Sequence, residues 1–322
     1  MPLSPDHPYY SLNQFLRQRF GEKVVRVPVN LHRICPNRMD ARTGCAFCLP
    51  EAYEPPEEAG AGSVTEQLTR GMAQRGPVYR ARKFIAYFQS GSNTFGPLDE
   101  LAAAWREALA QPGVAALSIS TRPDCLPAEL LELLAMLAER HEVWVELGVQ
   151  TAHDKTLRLL NRGHDATCSW SAIAALAAAG VRHIVPHMIL GLPGESEQEM
   201  LESFEKCAAV MANSSGGNEA PDDGRWGIKI HHLQVVKGTP LEESWRAGAV
   251  STLALDEYAA LLVRVLERTP PRIVIHRLCG SVHERYLCAP RWPGGKAEHI
   301  RRIMDEFKRQ QTYQGHRSGD SV

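Results

Sequence analysis

Val143-Trp-Val-Glu-Leu-Gly-Val-Gln150 carries apolar residues at 143, 145, 147 and 149, with Glu146 and Gln150 falling between them. Successive side chains of a strand point to opposite faces, so this stretch reads as a strand with one apolar and one polar face. Its neighbours repeat the pattern. Ser118 and Ser120 alternate with Leu117 and Ile119, Lys229 and His231 with Ile228 and Ile230, and His183 and His187 share one face. Six runs read as strands, at residues 24–30, 83–89, 114–120, 143–150, 183–192 and 226–236, and a seventh candidate covers 272–278. Helix-like runs lie between them, at 63–75, 98–110, 127–140, 169–179, 196–211 and 254–267. Pro127 suits a first helical position, and Gly180 suits the position that closes a helix. Strands alternating with helices imply an α/β fold with a parallel sheet under outer helices. A parallel sheet buried on both faces has nearly continuous apolar strands. Polar inner faces point instead to an open barrel with a wet lumen and a buried site. An antiparallel sheet with one solvated face gives the same alternation, but the intervening helices argue against it.

Composition bounds the rest. The 322 residues carry 36 Lys+Arg against 37 Asp+Glu, with 44% hydrophobic and 23% charged residues, which excludes a disordered or fibrous chain. The longest apolar run, residues 173–181, is far short of the roughly 18 needed to span a bilayer. Met1-Pro-Leu-Ser-Pro-Asp-His-Pro lacks a signal-peptide pattern, so a cytoplasmic protein without a membrane partner is expected. Eight cysteines in such a chain are expected to be thiols or metal ligands. The near-neutral balance argues against nucleic-acid binding by bulk charge. Residues 213–225, polar and Gly-rich, read as a mobile surface loop.

The chemistry starts just past the first strand, at Cys35-Pro-Asn-Arg-Met-Asp-Ala-Arg-Thr-Gly-Cys45-Ala-Phe-Cys48. Three thiolates at this spacing can converge on one metal or cluster. Alone, the loop suits structural zinc with His32 as a fourth ligand as well as it suits an iron–sulfur cluster. Arg33, Arg38 and Arg42 are expected to lower the thiol pKa values in either case. Position favours the cluster, because a loop after the first strand of a parallel barrel lies at the C-terminal face, where barrel active sites are built. Three thiolates would hold three irons of a [4Fe–4S] cluster and leave one iron open.

This loop, with Phe47 before its last cysteine, resembles that of the radical S-adenosylmethionine (SAM) superfamily. Its nine residues between Cys35 and Cys45 depart from the commonest C-x3-C-x2-C form. Ser120-Thr-Arg-Pro-Asp124, Glu146-Leu-Gly-Val-Gln150, Asn161-Arg-Gly-His164, His187-Met-Ile-Leu-Gly-Leu-Pro-Gly194 and Val236-Lys-Gly-Thr-Pro-Leu241 follow in order. The set is similar to the radical SAM half of the elongator catalytic subunit, and more so to its short bacterial YhcC/YtqA-type relatives. The resemblance implies a partial (β/α)6 TIM-type barrel over residues 24–250. Residues 1–23 would form an N-terminal segment and 251–322 a short C-terminal extension.

Its implied chemistry is reductive cleavage of SAM to methionine and a 5′-deoxyadenosyl radical that abstracts hydrogen from substrate. Cys35, Cys45 and Cys48 would bind the cluster, and a flavodoxin or ferredoxin would supply the electron. By the same resemblance Gln89, Ser90 and Gly91, with Ser120, Glu146, Gln150 and Arg162, would contact SAM, and Leu190 would pack on the adenine. Arg162 would pair the SAM carboxylate. His187 and Lys229 are the candidate catalytic residues, while Glu146 has a second reading as an ion-pair partner of Lys229. Relatives of the elongator type act on the wobble uridine of tRNA, so tRNA is the expected substrate, modified at carbon 5. Two basic stretches are permissive: Arg70, Arg75, Arg80, Arg82 and Lys83, and the tail from Arg291 to Arg317, with Tyr79, Trp292 and Tyr313 as stacking candidates. The competing readings are a radical SAM enzyme for a small molecule, a haem-handling relative, and a non-catalytic zinc or RNA-binding module.

Overall fold

The computed structural model describes residues 3–39, 44–53, 62–214 and 224–318. Its main sheet is parallel throughout, with strands β1 (Val24–Val29), β2 (Lys83–Phe88), β3 (Val114–Thr121), β4 (Val143–Gln150), β5 (His183–Leu190), β6 (Gly227–His232) and β8 (Val274–Arg277) in that order. A two-residue β7 (Val235–Val236) pairs antiparallel with β9 (Leu287–Ala289). The helices are α1 (Leu12–Phe20), α2 (Pro50–Tyr53), α3 (Val64–Tyr79), α4 (Leu98–Leu109), α5 (Ala128–Arg140), α6 (Asp154–Leu159), α7 (Ala166–Ala178), α8 (Glu197–Ser214), α9 (Pro240–Arg246), α10 (Leu255–Arg268) and α11 (Lys296–Gln310). The architecture is a partial TIM-type barrel. The seventh strand candidate joins the sheet as β8, which binds the C-terminal segment into the barrel.

Strand parity sorts the layers as the alternation requires. Val27, Phe84, Leu117, Val145, Leu147, Met188 and Ile230 face the outer helices in one continuous core. Odd-and-even partners on the other face fill the lumen. Its closed end is apolar: Val24, Ile85, Ala116, Trp144 and Val274 meet Phe15 and Leu16 of α1. α1 was not expected from the sequence, although Ser11 and Gln14 form a capping box at its start. The run 226–236 is two strands, not one, because the chain breaks pairing at Leu233 and Gln234 before β7. Pro127 caps α5 from just outside it, one residue earlier than expected. Gly180, at φ +73°, follows α7 as expected. Residues 215–223 of the expected surface loop, and Arg42 of the cysteine loop, lie outside the described residues. No described helix is long and apolar enough to cross a membrane.

Candidate active site

Above the apolar plug the lumen becomes ionic. Glu146 of β4 is 3% exposed, yet it is surrounded by donors. Its Oε2 accepts from Lys229 Nζ and from the Tyr87 hydroxyl, each at 2.7 Å, and its Oε1 lies 2.9 Å from the Arg26 guanidinium. Lys229 Nζ also donates to the Tyr87 oxygen at 2.9 Å. Burial alone would raise the carboxyl pKa. Lys229, Arg26 and His276 outweigh it and hold Glu146 ionised well below the usual carboxylate range. The structure therefore brings Glu146 and Lys229 together and commits each to the other in mid-lumen.

A histidine chain ties this tier to the closed end. The Gly224 carbonyl can only accept, so His183 Nδ1 donates to it at 2.5 Å and presents a bare Nε2. His276 Nε2 donates to that nitrogen at 2.7 Å, leaving His276 Nδ1 to accept from Arg26 at 2.8 Å. Each bond fixes the next tautomer, and both rings are neutral in this pattern. His183 thus belongs to the base of the barrel, stacked on Phe15, and not to a substrate site.

The mouth holds the cysteine loop. Cys45 is buried and its sulfur accepts from Arg162 at 3.3 Å and Asn37 at 3.4 Å, with Arg122 at 4.0 Å. Burial raises the Cys45 thiol pKa, but Arg162, Arg122 and Asn37 together bring it below its ordinary value. Cys48 goes the other way, to about 11, because burial and the neighbouring Cys45 outweigh Arg38. Of the loop arginines expected to acidify these thiols, Arg38 does lower Cys48 without overcoming its burial, while Arg33 is turned away to Glu100 at 2.6 Å. The cations that lower Cys45 are Arg122, just past β3, and Arg162, beyond α6. Backbone bonds seat the loop: Ala46 N–H donates to Leu160 and Leu241 N–H to Ala46, both at 2.9 Å. Phe47 packs into an apolar cluster of Leu160, Ile189, Leu192, Leu233, Val235 and Leu241, which screens this side from water.

Arg162, expected at a SAM carboxylate, spans from Cys45 to the Gly148 carbonyl, which its guanidinium reaches at 2.6 Å. β4 is bulged there, and a Cβ at Gly148 would sit 2.5 Å from that guanidinium. The atoms a Cβ would meet are the flexible ends of Arg162 and Gln150, which would have to move aside. Gly148→Ala is expected to displace the Arg162 guanidinium at little cost in stability. Iron and sulfide bound per chain after anaerobic reconstitution should fall while far-ultraviolet circular dichroism stays native. Full loading would show that Arg162 is not needed at the loop.

The other expected contacts gather around the same opening. Gln150 takes φ +73° past the bulge, and Gly91, at φ +78°, passes so close to Arg33 that a Cβ would lie 2.9 Å from its carbonyl oxygen. Asn93 clamps this turn to β3, donating to the carbonyls of Phe88, Ser90 and Ser120 at 3.0–3.1 Å. Among the described residues, Ser120 Oγ, Gln150 Oε1, Arg162 Nε and His187 Nε2 are buried without a protein partner. The His187 ring meets His231 at 4.0 Å between centroids. Gln89 and Ser90 are half-buried beside them. Leu190 is corrected: it is fully buried on the helix side of the sheet, and the lumen-facing apolar residue is its neighbour Ile189. Sequence reasoning missed Asn37 and Arg122, the latter held by Asp124 at 2.7 Å.

The basic stretches separate too. In the C-terminal one, Arg301, Arg302, Lys308 and Arg309 are paired with Glu298, Asp256, Asp6 and Glu306. Trp292 lies against His232 and Tyr258 with its indole N–H on the Leu253 carbonyl, so it is not free to stack on a base. Arg70, Arg80, Arg82 and Tyr79 on and beside α3 remain exposed.

The three-cysteine loop at the C-terminal ends of the strands, with cationic donors on its sulfur, is the arrangement of a radical SAM protein. The chain matches the Radical SAM superfamily over residues 29–207 and the Radical_SAM C-terminal domain over 225–309, and it belongs to that superfamily. It is 35% identical to Protein YhcC of Escherichia coli K12 over 86% of this chain and 85% of that protein. It is 34% identical to the uncharacterized protein YtqA of Bacillus subtilis over 95% of this chain and 92% of that protein. Elongator complex protein 3 of Saccharomyces cerevisiae is 29% identical over 50% of this chain and 27% of that protein. Among solved structures, Elp3 of the archaeon Methanocaldococcus infernus superposes with a TM-score of 0.63 at 20% identity, covering 90% of this chain and 64% of that one. Membership makes this a radical SAM enzyme and implies SAM and a [4Fe–4S] cluster as its cofactors.

The residues present fit those groups. Three thiols lie on one loop, N–H donors already aim at a sulfur, and buried polar atoms of Ser120, Gln150, Arg162 and His187 have no protein partner among the described residues. His32, by contrast, is exposed.

Proposed function

We propose that the chain modifies carbon 5 of the tRNA wobble uridine, with Cys35, Cys45 and Cys48 as the cluster ligands. The observation that supports the cluster assignment best is Arg162 donating to Cys45 Sγ at 3.3 Å while anchored on Gly148. Cluster and SAM supply a 5′-deoxyadenosyl radical when reduced by a flavodoxin or ferredoxin. The protein's part is placement. Arg162 and Asn37 hold the Cys45 sulfur, and the guanidinium's free Nε is left for the carboxylate of the bound amino-acid moiety. Ser90, Gly91, Ser120 and Gln150 offer hydrogen-bonding groups around it. Phe47 and its apolar cluster exclude water, which protects reactive chemistry. Glu146 and Lys229 fix the strands beneath the site, and His187 Nε2 is buried without a protein partner among the described residues.

The tRNA reading rests on the likeness to elongator complex protein 3 across half the chain, and on the exposed Arg70, Arg80, Arg82 and Tyr79. A cytoplasmic enzyme is consistent with that substrate. Its test is 5′-deoxyadenosine formation by reconstituted protein with SAM and reductant, with and without bulk tRNA. Stimulation by tRNA, abolished by ribonuclease, is expected. Formation indifferent to tRNA would redirect the search to small molecules.

A further inference from the structure

The seven strands do not close on themselves, and between the rim strands β1 and β8 lies a cavity of about 400 Å³. The N-terminal segment walls it on one side, where Ile275 N–H donates to the Tyr10 carbonyl at 2.8 Å, and the first turn of α11 walls it on another. Arg26, Arg277 and Lys296 line it, and among the described residues no carboxylate does. The surroundings leave this charge uncompensated. Glu146 already divides itself between Arg26 and Lys229, one carboxylate for two cations. Arg277 has a histidine for a neighbour, His231 at 3.4 Å, and burial keeps that ring neutral. Lys296 makes no ion pair among the described residues. Cys279 lines the same cavity as Arg277 and Lys296.

Cations collected in a partly enclosed, acid-free space favour an anion of more than one charge. A guanidinium fork matches phosphate oxygens two at a time, and an ammonium adds a point charge. We propose that this seam cavity binds a phosphate group, gripped by Arg277 and Lys296, with Tyr9 and Asn13 as flanking donors. The phosphate belongs either to a phosphorylated small molecule or to an RNA backbone, and only the second source rests on the tRNA reading above.

The test is equilibrium dialysis of radiolabelled orthophosphate against cluster-loaded protein under anaerobic conditions. One saturable site per chain is expected, weakened about tenfold by Lys296→Gln, as loss of a charge-assisted hydrogen bond implies, and further by adding Arg277→Gln. Lys296 is exposed, so its substitution should leave circular dichroism and SAM cleavage in the absence of substrate unchanged. Displacement of the label by a short RNA lacking terminal phosphates assigns the site to backbone phosphate. Displacement by nucleoside monophosphates alone assigns it to a small molecule. Absence of saturable binding, equal competition by acetate, or parental affinity in the double variant overturns the proposal. Those results leave tRNA stimulation of SAM cleavage untouched, so the two readings fail separately.

Discussion

Cys48→Ala protein, reconstituted anaerobically, should carry almost no iron or sulfide and form no detectable 5′-deoxyadenosine. Its fold should persist, because the loop is seated by groups other than this thiol. Phe47 is held in its apolar cluster, Ala46 by Leu160 and Leu241, and the Cys48 carbonyl by the Arg38 guanidinium. The loss is expected to be near total, since the variant would keep only two of the three thiolates assigned to the cluster. Cys168→Ala, on the half-buried face of α7, serves as the control and should load normally. Iron and sulfide at full stoichiometry in Cys48→Ala would refute the ligand assignment. Equal loss in Cys168→Ala would mean that the assay reports general thiol chemistry.

Why was so much of this barrel legible before its structure, and where did legibility stop? Period-two alternation in residues 143–150 set the lumen face, and β4 has those bounds. The placement of Leu190 against the adenine came from the family resemblance. The alternation itself, with His183 and His187 on one face of β5, puts Ile189 in the lumen and Leu190 on the helix side, as found. α1 carried its own signal in Ser11-Leu-Asn-Gln14, but a nine-residue helix ahead of the first strand has no place in a strand–helix alternation. The cysteine spacing is a local pattern and could be read directly. The cations that act on it could not, because Arg162 and Arg122 stand 117 and 77 residues from Cys45. Only the fold brings them to it. Nor does sequence tell that Arg302 and Lys308 pair with the distant Asp256 and Asp6.

Stability should fall steeply once the pH drops below about 6.5, well above the range where carboxylates usually decide acid unfolding. Five buried histidines have depressed pKa values: His183 and His232 to about 3, and His187, His231 and His276 well below 6.5. Burial is the first cause in each, reinforced by neighbouring cations such as Lys229, Arg277 and Arg26 at the last three. With folded pKa values below the unfolded ones, the unfolded chain binds more protons at acid pH. The stabilisation is therefore complete above pH 6.5 and drains away as pH falls toward the folded values. Between pH 6.5 and 5.5 each ring costs about 1 kcal/mol, so the five cost about 5 kcal/mol, a large part of an ordinary domain's stability. Glu146 adds to this only below about pH 4.5, where the unfolded chain takes up its proton while Lys229 and Arg26 still keep the folded carboxylate ionised. Urea midpoints at pH 7.5, 6.5 and 5.5 measure the effect. His232→Phe, which keeps a ring against Tyr258 and Trp292, should make the dependence shallower by about one proton. A midpoint that stayed level from pH 7.5 to 5.5 would mean that these rings are not held neutral, and the tautomer chain from Arg26 to Gly224 would fall with them.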